Sequence, residues 1–224
     1  MHLTYRSLPL FAAAVVLAPA GNHASSLPAL QSQVNAVTGS APRINPQALT
    51  MGLRALQKAR AAGEIRREDV MILIDYSRAS TEPRLWVVDL RANRVLFEEA
   101  VAHGRNSGDN YTVRFSNAPN SLMTSLGAFS TADAYYGSNG YSLRLRGLEA
   151  GVNDRSMERA IVMHGADYVN PDVTRRLGRL GRSHGCPAVR RAVARQIIDT
   201  VRGGALVFSW YPDRQWLRTS AFLR

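Results

Sequence analysis

Cysteine is almost absent from this chain: Cys186 is the only one in 224 residues. A single cysteine can form no internal disulfide, so a disulfide-stapled scaffold is excluded. The thiol is left either as an inert buried side chain or as a reactive group. Acidic residues are few as well: 17 Asp and Glu stand against 28 Lys and Arg, a formal net charge of +11. Such an excess points to an anionic partner, or to dispersed surface arginine with no single partner; the bases spread along the chain, and both readings stand. There is no internal repeat and no low-complexity tract. Tight metal-ligand spacing is missing too. His103, His164, His184 and Cys186 could supply only a scattered zinc set with no His-x-x-x-His pair, so no metal and no cofactor is expected.

What is present suggests one domain plus extensions. Hydrophobic residues make up 46% of the chain, enough for a substantial core. Arg6, the apolar run Leu8 to Leu17 broken only by Pro9, and Ala18-Pro19-Ala20 before Gly21 read as a cleaved secretory signal over 1–20. The run is short for a membrane span, although an uncleaved anchor is the alternative. No cysteine follows it, which excludes a lipoprotein anchor at that site. The mature chain is therefore expected to be secreted or periplasmic, with no stable membrane span after cleavage. Export argues against nucleic acid as the anionic partner; a wall polymer or a membrane surface fits better.

Residues 21–44, rich in Ser, Ala, Asn and Gln, read as a linker. Asn45-Pro46 offers an N-cap and a first-turn proline for a helix within 45–66, with Leu49, Leu53 and Leu56 on one face. A domain over 67–213 follows. Val70 to Asp75 is a strand; Leu85 to Leu90 and Arg94 to Val101 form a hairpin around Arg91-Ala92-Asn93, ending at His103-Gly104. Ser116 to Ser121 reads as a loop. Tyr141, Leu143 and Leu145 alternate on one face of another strand, beyond a turn at Gly137 and Asn139-Gly140. Ile161-Val162-Met163 is a buried strand ending at His164. Asp172 to Leu180 is a short helix and loop, Val193, Ile197 and Val201 mark a helix ending at Gly203-Gly204, and Ala205 to Trp210 is a last strand. Residues 214–224 read as a tail. The class is α+β, mostly β in its core, with a few flanking helices.

Two segments carry the chemistry. Gly181-Arg182-Ser183-His184-Gly185-Cys186-Pro187-Ala188-Val189 sets the lone thiol in a tight turn, and Met163-His164-Gly165 supplies an imidazole at a strand end. A thiol and an imidazole suffice for thiol acyl transfer. These segments resemble the L,D-transpeptidase catalytic domain, the YkuD-type family, which carries a His-Gly-like piece, a gap, and then Ser/Thr-His-Gly-Cys. The broad family follows its cysteine with an aliphatic residue and then Arg or Asn. Here Pro187-Ala188-Val189 stands instead, with the next arginine at Arg190, which is similar to the branch described as the murein L,D-transpeptidase catalytic domain family. The resemblance covers roughly Val70 to Trp210, and no peptidoglycan-binding module is visible beside it.

The resemblance implies a small β-sandwich or barrel-like domain, with Cys186 as nucleophile and His164 as base, and with peptidoglycan stem peptides as substrates. It implies 3→3 cross-linking through a thioester, with L,D-carboxypeptidase or endopeptidase hydrolysis, or a non-catalytic wall-binding module, as alternatives. The residues suggest the support. Ser183, His184 and Gly185 shape the turn so that the amides of 184, 185 and 186 can face an oxyanion, and the resemblance implies that the backbone after the base, here Gly165, helps orient the ring. Cys186 is expected to titrate below an ordinary thiol. Tyr141, Tyr168 and Arg190 are candidate substrate contacts, with Tyr135, Tyr136, Arg146 and Arg159 behind them; packing or plain surface charge is the alternative for each. His103 either borders the cleft or is a loop histidine without a role. The loop from 166 to 182 is placed to cover a thioester.

Overall fold

The computed structural model describes residues 27–224, so the expected signal segment and the start of the expected linker lie outside the described residues. Helix α1 (Leu27–Ser40) leads into α2 (Pro46–Ala61). Strands β1 (Val70–Asp75), β2 (Leu85–Asp89) and β3 (Arg94–Glu99) follow, and then the long hairpin β4 (Gly127–Gly137) and β5 (Gly140–Gly147). The chain continues through β6 (Val162–Gly165), α3 (Pro171–Leu177), β7 (Ala188–Val189), α4 (Arg191–Val201), β8 (Leu206–Trp210) and α5 (Arg214–Thr219). One mixed sheet of eight strands runs β3-β2-β1-β8-β4-β5-β6-β7. Beyond β3, Ala102 bridges Ala188 of β7, its N–H donating to the Ala188 carbonyl at 2.8 Å. That bridge nearly closes the sheet into a barrel and brings its two edge strands together.

The unbroken apolar run of β1 has a physical cause. Met71 and Leu73 pack into one cluster with Leu49, Leu53 and Phe208, while Val70, Ile72 and Ile74 pack into a second with Ile197, Ile198 and Val207. A strand covered on both faces has no need of polar alternation. Helix α2 starts where expected, with Asn45 Oδ1 accepting from the Gln47 and Ala48 amides at 2.9 and 3.3 Å. The β2–β3 hairpin turns through Asn93 at φ 51°. Gly127, at φ +98°, opens β4, and a side chain there would meet the buried Glu149 carboxylate at 2.3 Å. Leu143 and Leu145 are buried as their alternation predicted, with Tyr141 partly buried beside them.

Two segments differ from the sequence reading. Residues 27–40 lie within the expected linker, yet they form α1, which packs on α2. Leu30, Val34 and Val37 are buried at i, i+4 and i+7, and Gln33 donates to the Leu90 carbonyl at 3.1 Å. Three apolar residues in a polar stretch are a thin stripe, but each one buried contributes about 1.5–3 kcal/mol. The expected tail likewise holds α5. Asp213 caps it by accepting from the Trp216 amide at 2.7 Å, and Trp216, Phe222 and Leu223 complete the first cluster. The Trp216 indole N–H donates to Glu149 Oε2 at 3.1 Å, which ties the C-terminus to the turn before β6.

Candidate active site

Strands β6 and β7 pair in parallel, with His164 opposite Ala188. Cys186 lies two residues before Ala188 and Val162 two before His164, and the Val162 N–H donates to Cys186 Sγ at 3.5 Å. Cys186 and His164 therefore sit one two-residue repeat apart along the same seam, a backbone offset of about 7 Å by strand geometry. No hydrogen bond joins them among the described residues. The Cys186 thiol instead donates to the Ala160 carbonyl at 3.7 Å. His164 Nδ1 lies 3.2 Å from the Gly165 carbonyl. A carbonyl can only accept, so Nδ1 carries the proton and Nε2 is left with its lone pair. Burial, with Arg191 nearby, pulls the His164 pKa below the ordinary imidazole value despite that hydrogen bond. The ring is thus a neutral base around pH 7.

The nucleophile turn is built by Ser183. Its hydroxyl donates to the Cys186 carbonyl at 2.6 Å and accepts from the Gly185 amide at 3.0 Å. Gly185 has φ +124°, and a Cβ there would stand 2.7 Å from the Met123 carbonyl oxygen, so glycine is required. The expected trio of oxyanion donors is corrected here, because the Gly185 N–H is already held by Ser183. The His184 and Cys186 amides make no hydrogen bond among the described residues and are the donors left over. His184 is exposed at the rim of the turn.

The expected acidity of Cys186 is also corrected. Burial pushes the thiol pKa up, and the Val162 N–H and the Arg159 cation only partly oppose it. Proximity in sequence to histidine cannot show how deeply tertiary packing covers a sulfur. Iodoacetamide should therefore modify Cys186 slowly, with a rate that rises only above the ordinary thiol range of about 8.5. Peptide mapping across a pH series checks this; an inflection below that range would contradict the geometry.

The remaining candidates separate. Tyr168 packs against Gly181 within the covering segment, and burial, with Cys186 close by, raises its hydroxyl to about 12. It is the one predicted aromatic beside the thiol. Tyr141 lies on the α4 side. Its hydroxyl donates to Asp199 at 2.6 Å, and its ring lines a groove of about 290 Å³ with Tyr136, Gly165 and Arg195. Arg190 is held by Glu99 through two bonds of 2.7 Å, at the edge of a groove of about 350 Å³ between α3 and β3. Arg146 pairs with Glu64. Neither groove is lined by Cys186 or His164. Among the described residues no three His, Cys, Asp or Glu side chains gather in a way that could hold a metal.

His103 proves to be structural, which the sequence left open. It is buried, and Arg84 Nη2 lies 2.8 Å from its Nδ1. Arginine can only donate, so Nδ1 accepts and the ring must be neutral. Burial, with Arg84 adding to it, lowers the His103 pKa from 6.5 to about 4. Between those values the unfolded chain binds a proton that the folded chain refuses, so stability rises with pH across the window and is lost on acidification. Asp75 opposes this in part, since burial raises its pKa and the folded chain then holds a proton there. From pH 7 to pH 4.5 the His103 contribution should cost on the order of 2–3 kcal/mol. Urea unfolding at the two pH values measures it, and the slope should flatten in His103→Gln.

Comparison with known proteins follows the same outline. A profile of the L,D-transpeptidase catalytic domain matches residues 40–210. Similar solved structures include an L,D-transpeptidase from Mycobacterium smegmatis, at 16% identity and TM-score 0.40, covering 64% of this chain and 59% of that one. Another from Stackebrandtia nassauensis has 12% identity and TM-score 0.39, covering 81% and 77%. The helical cell shape determining protein Pgp2 of Campylobacter jejuni has 13% identity and TM-score 0.41, covering 73% and 57%. The chain thus spans under two thirds of the length of the first and third of these, and no curated protein matches it. Because the profile takes in both the strand that carries His164 and the turn that carries Cys186, the chain belongs to the L,D-transpeptidase catalytic domain family.

Proposed function

We propose that this protein is an exported peptidoglycan L,D-transpeptidase that works through a Cys186 thioester and makes 3→3 cross-links between stem peptides. The observation that carries the reading is the β6–β7 seam, which sets a neutral imidazole with a free Nε2 one repeat from the lone thiol. The donor is a tetrapeptide stem. As Cys186 Sγ attacks the carbonyl between the third residue and D-alanine, its proton passes to His164 Nε2. The amides of His184 and Cys186 are the donors for the oxyanion; one such donor is typically worth about 2.7–4 kcal/mol. D-Alanine leaves with the proton from His164. An amine of a second stem then attacks the thioester and His164 takes its proton; the new amide bond forms as the C–S bond breaks, and the departing Cys186 sulfur regains that proton from His164.

Water competes with the amine at that last step. Tyr168, Val169 and Leu180 of the covering segment pack with Ala102 and Ala188 over the end of the seam, and Cys186 is only 9% exposed. A covered thioester favours an acceptor held by the protein, because positioning can supply effective molarities of about 10⁵–10⁸ M. Net positive charge suits an anionic wall polymer as the surroundings. No helix among the described residues is long and apolar enough to cross a membrane.

Incubation of the protein with a disaccharide-tetrapeptide, followed by mass spectrometry, tests the reading. Cross-linked dimer and released D-alanine are expected. Tripeptide product alone at high substrate would replace transpeptidation with L,D-carboxypeptidase activity, and no turnover at all would leave the wall-binding module.

A further inference from the structure

The arginines around the site mostly meet carboxylates: Arg190 meets Glu99, Arg191 meets Asp167, and Arg179 and Arg182 meet Asp109. Arg159 meets none among the described residues. Its half-buried guanidinium donates instead to four neutral oxygens of one loop. Nη1 reaches the Ser116 carbonyl at 2.7 Å and Ser125 Oγ at 2.6 Å; Nη2 reaches the Met123 carbonyl at 2.5 Å and Ser121 Oγ at 3.2 Å. Neutral acceptors orient a guanidinium without cancelling its charge.

That charge faces the nucleophile turn. A Cβ placed on Gly185 would stand 3.2 Å from Arg159 Nη2 and 2.7 Å from the Met123 oxygen that Arg159 holds. The next residue, Ala160, has φ 52°, a left-handed conformation that an alanine adopts only when its surroundings impose it. There its carbonyl accepts the Cys186 thiol. Two consecutive residues therefore act on one sulfur in opposite senses: the Ala160 carbonyl favours the S–H form, and the Arg159 cation favours the thiolate. The other titratable groups facing the thiol are Tyr76, with Arg84 stacked behind it at 5.1 Å, Tyr168, and His164. The two tyrosines are neutral near pH 7 because burial raises both hydroxyls, and His164 is neutral because burial lowers its ring.

The geometry points to Arg159 as the positioning residue of the nucleophile turn, an uncompensated cation that stabilises negative charge on Cys186 Sγ as the proton moves to His164 Nε2. It rests on the reading of Cys186 as nucleophile. The loop anchored by Arg159 carries Met123 against Gly185, so one side chain sets both the shape of the turn and its local field.

The test compares iodoacetamide modification of the full chain across pH for wild type, Arg159→Lys, Arg159→Met and Arg159→Gln. An opposite charge within reach of a thiol lowers its pKa by one unit or more. The Met variant should therefore move the alkylation inflection upward by about one pH unit and slow modification at pH 8 roughly tenfold. The Lys variant keeps the charge but loses the fork, so its inflection should stay near wild type while its melting temperature falls. If Met at 159 prevents folding, the Gln variant, neutral but still able to donate to the loop, gives the reading. An unchanged inflection in a folded neutral variant, with only stability lost, would reduce Arg159 to a loop brace and overturn the proposal. Alkylation needs no acyl donor, so a failed muropeptide assay beside a shifted inflection would sink the proposed function and leave this inference standing.

Discussion

Cys186→Ala is expected to bring D-alanine release down to background, a loss on the order of 10⁶ in rate, while the fold survives. Removing the nucleophile of a covalent mechanism costs about that much where it has been measured. The sulfur's neighbours explain the intact fold. It accepts only a long hydrogen bond from Val162 and donates only a long one to Ala160, at 3.5 and 3.7 Å, so little binding is lost with it. The turn is held by Ser183 Oγ, which bonds to backbone atoms and is indifferent to the side chain at 186. Cys186→Ser should be nearly as inactive, since a hydroxyl held against the Ala160 carbonyl is far less acidic than the thiol it replaces. Rate measurement by D-alanine release, with intact-mass detection of a thioester in wild type alone, checks both. Appreciable turnover by the folded alanine variant would end the thioester mechanism.

Most of the strands and the turn that holds the thiol are legible in the chain because their signals are local. The run from Val70 to Asp75, the alternation of Tyr141, Leu143 and Leu145, and the Ser183-to-Cys186 turn each state their structure within a few residues. Signals that depend on distant partners were not legible. Arg190 reads as a candidate substrate contact or plain surface charge because Glu99, 91 positions away, gives no sign of the fork it forms. The acidity of Cys186 was misjudged for the same reason. The turn and the paired His164 suggest an acidic thiol, yet the sulfur's hydrogen bonds run to Val162 at the start of the His164 strand and to Ala160 just before it, with the Arg159 cation only partly offsetting burial. Helix α1 was missed because Leu30, Val34 and Val37 are a stripe too thin to see until α2 lies against it. The closing bridge from Ala102 to Ala188, which brings the two sheet edges together beside the seam, has no sequence signal; two alanines are simply what fits there.

The second large effect separates the two histidines. His164→Ala should reduce acyl transfer by about 10²–10⁴, the usual worth of a positioned general base. His184→Ala should cost far less in a folded protein, since His184 is exposed and Cys186 is ordered by Ser183 instead. The pH profile makes the assignment independent of magnitude. The working pair is a neutral imidazole and a protonated thiol. Burial holds the His164 pKa below its ordinary 6.5 and the Cys186 pKa above its ordinary value. Wild-type kcat/KM should therefore show a broad plateau, with an acid limb below pH 6.5 where His164 takes up a proton and an alkaline limb above the usual thiol range. His164→Ala should lose the acid limb, and its residual rate should climb with pH, because only hydroxide can then make the thiolate. His184→Ala should keep both limbs. If the acid limb persists in His164→Ala and vanishes in His184→Ala, the base is the exposed histidine of the turn, and the β6–β7 seam positions the nucleophile alone.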